Sequence, residues 1–160
     1  MADTTKSRIY LTIIVALVLI VAALLYKFII AGSTERGEDG RTAVVLAPAE
    51  RDLVLGEMRS FVAGLQQISD ALSRDDMDAV AKAARAMGME KTHDAPVAMM
   101  GKLPLAFKKL ALGTHREFDT IALDAEAMRM PKHTLGQLSD VLQKCVACHA
   151  SYQLKAAPAK

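Results

Sequence analysis

Between Ile9 and Ile30 the chain holds 22 residues in which Thr12 is the sole polar interruption before Lys27. As a helix rising about 1.5 Å per residue, this run is long enough to cross a hydrocarbon core about 30 Å thick. Tyr10 and Tyr26 lie near its two ends, where amphipathic rings favour the membrane interface. Lys6 and Arg8 precede the span, while Glu35, Arg36, Glu38, Asp39 and Arg41 beyond it balance one another. The positive bias predicts a single-pass anchor with its N-terminus inside and residues 31–160 outside. A cleaved export signal is the competing reading, since Ala31-Gly32-Ser33 is small enough for a cleavage site. The apolar run is longer than the usual signal core of about 7–15 residues, which favours the uncleaved anchor. Either way the remainder is exported.

The remainder reads as helical. Of 20 Lys and Arg and 18 Asp and Glu, three and one fall within residues 1–30, which leaves 17 of each sign. A near-neutral chain without a clustered basic face excludes a nucleic-acid surface. Residues 31–47 are rich in glycine and charge and are expected to form a flexible linker. From Pro48 onward, Val54, Met58, Phe61, Leu65, Ile68 and Leu72 alternate by fours and threes, the mark of one buried helix face. Ser73-Arg74-Asp75-Asp76 supplies a turn and a cap, so Asp75 and Asp76 are helix-start charges rather than an acid–base pair. A second helix then buries Met77, Val80, Ala84 and Met87 and ends near Gly88. Residues 89–101 form the longest connection. A third helix from about Leu103 turns Phe107, Leu110, Phe118, Ile121, Ala125 and Met128 inward and closes at Pro131. Thr134 and Gln137 read as a capping box for the fourth helix. Its stripe is Leu135, Leu138, Leu142, Cys145, His149 and Tyr152. No strand pattern, phosphate loop or internal repeat is visible. The expected architecture is therefore all-α: a transmembrane helix over residues 1–30, a linker over 31–47, and an up-down-up-down antiparallel four-helix bundle over 48–160.

The two cysteines are three residues apart and so cannot staple a fold. They belong to Cys145-Val146-Ala147-Cys148-His149, the attachment sequence of c-type haem, in which two thiols add across vinyl groups and the histidine binds iron. On a helix these three side chains fall within about 100° of one face. A thioredoxin-like pair normally opens a helix after a strand, whereas this one closes the last helix. A zinc site would need a second cysteine pair that the chain lacks. A core of alanines and methionines would also be thin, and one haem would fill the missing volume.

Extended to Ala150-Ser151-Tyr152, and placed on the fourth of four helices, the motif resembles the class II c-type cytochromes. That group comprises cytochrome c-prime and its low-spin, methionine-ligated relatives. The resemblance covers roughly residues 48–156. Where that group carries a basic residue after the aromatic one, this chain has Gln153, with Lys155 further on. It implies covalent attachment through Cys145 and Cys148 and iron ligation by His149. Tyr152 is expected against the porphyrin edge or the core. In an antiparallel bundle His149 lies about 9 Å from the end of its helix and Met58 about 15 Å from the start of its own, which makes Met58 the candidate distal ligand. Met87, Met89, Met99 and Met100 are rivals, and Leu55 could face the iron instead and leave it five-coordinate. His93, His115 and His133 read as surface residues.

The function expected is therefore that of a membrane-anchored monohaem c-type cytochrome of a bacterial inner membrane, its haem domain periplasmic. It would pass single electrons between redox proteins or membrane electron-transfer complexes, and no catalysis of a substrate is implied. The alternative is a five-coordinate cytochrome that binds nitric oxide or carbon monoxide. The resemblance also admits a homodimer.

Overall fold

Residues 2–158 are described by the structure, a computed structural model. The chain opens with α1 (Ala2–Leu25), which continues into a wider π-helical turn, Tyr26–Ala31. Together Lys6–Ala31 form one helix long and apolar enough to span a membrane, none of it buried against the rest. It stops at Gly32, whose φ of 67° and ψ of −158° suit only a residue without a side chain. Gly32 also lies flat against the backbone of Lys102, Leu103 and Pro104, leaving no room for a Cβ. Next to it the Ser33 amide donates to the Lys102 carbonyl at 2.7 Å.

The segment expected to be a flexible linker is folded. Residues Thr34–Arg36 form β1 and Thr42–Leu46 form β2, an antiparallel pair that sets Thr34 opposite Val44. The turn between them is closed by the Gly40 amide on the Gly37 carbonyl, with Gly40 at a φ of 85°. A third strand, β3 (Tyr152–Ala156), runs parallel to β2, with Thr42 opposite Tyr152 and Leu46 opposite Ala156. Val44 and Leu46 are fully buried. The expectation of an all-helical domain is corrected here: the molecule is mostly helical, with a three-stranded sheet. The apolar run Ala43–Leu46 reads as linker by itself because the strand that completes it lies more than a hundred residues away in the chain.

Helix α2 (Pro48–Leu72) starts on Pro48, and the Glu50 carboxylate accepts the Ala47 amide at 2.8 Å. Proline suits a first turn, where its missing N–H costs nothing. Helix α3 (Met77–Arg85) is capped by Asp76, which accepts the Ala79 amide at 3.0 Å, as its position suggested. The long connection contains a 3₁₀ turn, Met89–Asp94, and a single turn, α4 (Val97–Met100). Helix α5 spans Leu105–Met128 and α6 spans Pro131–Ser151. Thr134 and Gln137 do not cap α6. Pro131 already occupies its first turn, Thr134 is buried within it, and the Gln137 amide reaches Asp124 at 2.6 Å.

Helix α3 packs against both α2 and α5, and α5 against α6, whereas α2 and α6 make no comparable contact along their lengths. Two apolar clusters result. One joins Ile68, Ala71, Val80, Met87, Phe118, Ile121, Leu138 and Val141 of α2, α3, α5 and α6. The other joins Val44 and Leu46 of the sheet to Val54, Met99, Leu103 and Phe107.

Candidate functional site

The last turns of α6 lie where the two clusters meet. Cys145 packs against the first and Cys148 against the second. Both thiols are free and half-buried. Burial pushes both above the ordinary thiol value, and the neighbouring Cys145 raises Cys148 further. They also sit at the negative end of a helix dipole, the reverse of the setting that activates a thiolate. A thioredoxin-like exchange site is therefore not what surrounds them. Tyr152, which ends α6, is half-buried with its ring edge-on to Phe107 at 5.3 Å between centroids. It belongs to the second, lower cluster, the one built on the sheet.

His149 is exposed in the last turn of α6, and its ring makes no hydrogen bond among the described residues. Its backbone is held from the hairpin instead. Arg41 donates through one terminal nitrogen to the carbonyls of His149 at 3.1 Å and Tyr152 at 3.2 Å. Asp39 fixes that guanidinium with a 2.6 Å ion pair and accepts the Gln153 amide at 2.8 Å. The Arg41 hydrogen bonds hold the Asp39 carboxyl below the usual carboxylate range. A cation at the C-terminal end of a helix satisfies carbonyls that the helix itself leaves open. Nothing local signals this role, because Arg41 is one charge among several in an apparent linker.

The expected inward stripe of α6 is only partly inward. Leu138 and Val141 are buried, but Leu135, Leu142 and His149 are exposed, and so is Val146. Lys144 pairs with Glu117 and Gln137 with Asp124, so their side of α6 faces α5. At about 100° per residue, the face carrying Leu142, Val146 and His149 then points away from α5, toward the side where α2 and α6 do not pack. Helix α2 is arranged in mirror fashion. Gly64 abuts Met87, Phe61 stacks on Phe118 at 5.6 Å, and Val54 shares the lower cluster with Cys148. Leu55, Met58 and Val62 lie further round the helix, half-buried or exposed, toward α6. Met58 thus follows by one turn the residue that meets the Cys148 cluster. It is less buried than its stripe implied.

His115 departs most from expectation. Read as a surface residue, it is 3% exposed. Its Nδ1 donates to the Met87 carbonyl at 2.7 Å, its Nε2 lies 3.2 Å from Glu57, and its ring rests on Phe61. The signal was present, because His115 lies three residues before Phe118 on the apolar stripe of α5. His93 and His133 are exposed as expected, the latter 3.1 Å from Asp124. No three His, Cys, Asp or Glu side chains converge on a bare metal position among the described residues, so a zinc site has no ligand set beyond the thiols.

Compared with protein families, with curated proteins and with solved structures, the chain finds no match. The site must speak for itself. Apolar side chains of α2 and α6 remain half-buried or exposed, two free thiols stand where the two clusters meet, and an exposed imidazole follows the second thiol. That arrangement suits a flat, apolar group fixed covalently along one margin.

Proposed function

We propose that the chain is a membrane-anchored monohaem c-type cytochrome that carries single electrons, its helices α2, α3, α5 and α6 forming an antiparallel four-helix bundle. The observation that supports this reading is the apolar surface left uncovered on two helices, Val62 of α2 and Leu142 and Val146 of α6, together with the free, half-buried thiols of Cys145 and Cys148. Exposed apolar faces of this kind are costly unless something covers them. When bound, haem c supplies an iron centre that accepts and returns single electrons.

The residues divide the work. Cys145 and Cys148, both free and half-buried at the end of α6, would hold the group through thioether bonds. His149 would ligate the iron from α6, with Arg41 fixing the helix end that carries it. Met58 would ligate from α2, and thioether ligation raises the potential of a six-coordinate carrier. Val62, Leu142 and Val146 would cover the faces of the group and exclude water from it. Lys6 and Arg8 on the N-terminal side of the anchor support a cytoplasmic N-terminus and a periplasmic folded part. The partners are then redox proteins or complexes at the inner membrane. Leu55 shares the half-buried face with Met58, which favours a second reading: an iron left open on that side to bind nitric oxide or carbon monoxide.

The test is the intact protein exported from a host competent for c-type maturation. Its mass should exceed that of the polypeptide by one haem, and its reduced spectrum should be low-spin. Met58→Ala should turn that spectrum high-spin and sensitive to carbon monoxide. A polypeptide mass alone ends the haem reading, and a high-spin, carbon-monoxide-sensitive wild type transfers the assignment to gas binding.

A further inference from the structure

Helix α4 is a single apolar turn held in place by one residue. Met99 is buried in the lower cluster, while Pro96, Val97 and Ala98 point outward, Val97 with 88% of its surface exposed. The end of the first helix lies close by. Gly101 closes α4 directly against Phe28, so that a Cβ there would lie 3.3 Å from the Phe28 ring. Lys108 donates to the Phe28 carbonyl at 3.3 Å, and Lys27 to the Gly32 carbonyl at 2.6 Å. The α4–α5 turn therefore reaches back to the level of Phe28, a residue inside the membrane-length span Lys6–Ala31. Phe28, Ile29 and Ile30 are themselves exposed there, so the apolar surface of the anchor runs on toward Val97. Of the three lysines in residues 95–113, Lys102 pairs with Glu50 at 2.6 Å and Lys108 holds the Phe28 carbonyl, while Lys109 is exposed, and that stretch contains no carboxylate of its own.

We infer that α4 is a second membrane contact, with Val97 seated in the boundary between headgroups and acyl chains of an anionic bilayer beside the exit of the anchor. An apolar turn flanked by lysines suits that boundary, where side-chain stems enter and ammonium groups stay with the phosphates. The inference rests on the reading that α1 spans a membrane. It fixes the attitude of the domain, bringing the cluster that contains Cys148 toward the bilayer.

The chain has no tryptophan, so single substitutions report cleanly. The full chain carrying Val97→Trp, reconstituted into vesicles of phosphatidylcholine and phosphatidylglycerol, should lose emission when the upper acyl chains are brominated and should be shielded from acrylamide. Leu17→Trp, in the middle of the anchor, should also be quenched by brominated lipid. Leu123→Trp, on an exposed part of α5, should be quenched by acrylamide alone. If Val97→Trp behaves like Leu123→Trp while Leu17→Trp is quenched by lipid, the second contact does not exist although the anchor does. If Leu17→Trp escapes the lipid quencher, the anchor reading fails and takes this inference with it.

Discussion

His115 shows how one polar side chain can hold three helices. Its ring bridges the Met87 carbonyl, just beyond α3, and Glu57 of α2 from a position on α5. Burial lowers its affinity for a proton, but the Glu57 hydrogen bond and the backbone contacts at Met87 and Gly88 outweigh that, and the net shift is upward from 6.5. A group with a raised folded value stabilises fully below its unfolded value and loses that contribution as the pH rises through the folded one. Stability to denaturant should therefore decline as the pH is taken above 6.5. His115→Leu should remove that decline and should cost about 1–3 kcal/mol in acid solution, because the carbonyl and the carboxylate lose their partner. A wild type with flat stability across this range would show that the imidazole stays neutral. At this scale the sequence was legible where chemistry is local, as in the Asp76 cap. It was illegible for Arg41 and for the partners of His115, which come from distant segments.

Among the elements, the helices were the readable part. Alternation by threes and fours located α2, α3 and α5 to within a few residues, because one buried face is a property of a single segment. The same rule misplaced Leu135 and Leu142 of α6, since an apolar stripe does not say which neighbour is missing. The hairpin escaped altogether: β1 has three residues, and β2, which buries Ala43, Val44 and Leu46, is completed by β3 from the far end of the chain. What replaces the expected swinging linker is a bolted joint at Gly32. There Gly32→Ala should cost about 1–3 kcal/mol, as the backbone region is open to glycine alone. The clash with the Lys102 carbonyl adds to that. Limited proteolysis of the variant should cut near residues 32–33, whereas the wild type should resist. Equal cutting of the two proteins would mean that the anchor and the domain are joined loosely after all.

Across the whole molecule, the sheet ties the segment after the anchor to the segment after the pentad. β2 is hydrogen-bonded to β1 on one side and to β3 on the other, and the Ala157 amide adds a bond to the Leu46 carbonyl at 2.7 Å. Ending the chain after Ser151 should leave the first apolar cluster and most helical signal intact. The amide protons of β2 should then exchange freely, because Tyr152 and Leu154 also leave the second cluster. Protection of β2 in that variant would show that β1 suffices to order it.

The parallel pair also sets an order of events. Residues 42–46 wait for residues 152–156, which follow every helix in the chain. Closing so long a loop is entropically slow, and non-local strand pairing tends to come late. As the polypeptide folds, Cys145 and Cys148 therefore pass through a stage in which nothing yet clasps the end of their helix. If the proposed haem is attached, that is the interval in which the thiols are easiest to reach, before the final strand docks and the door shuts behind it.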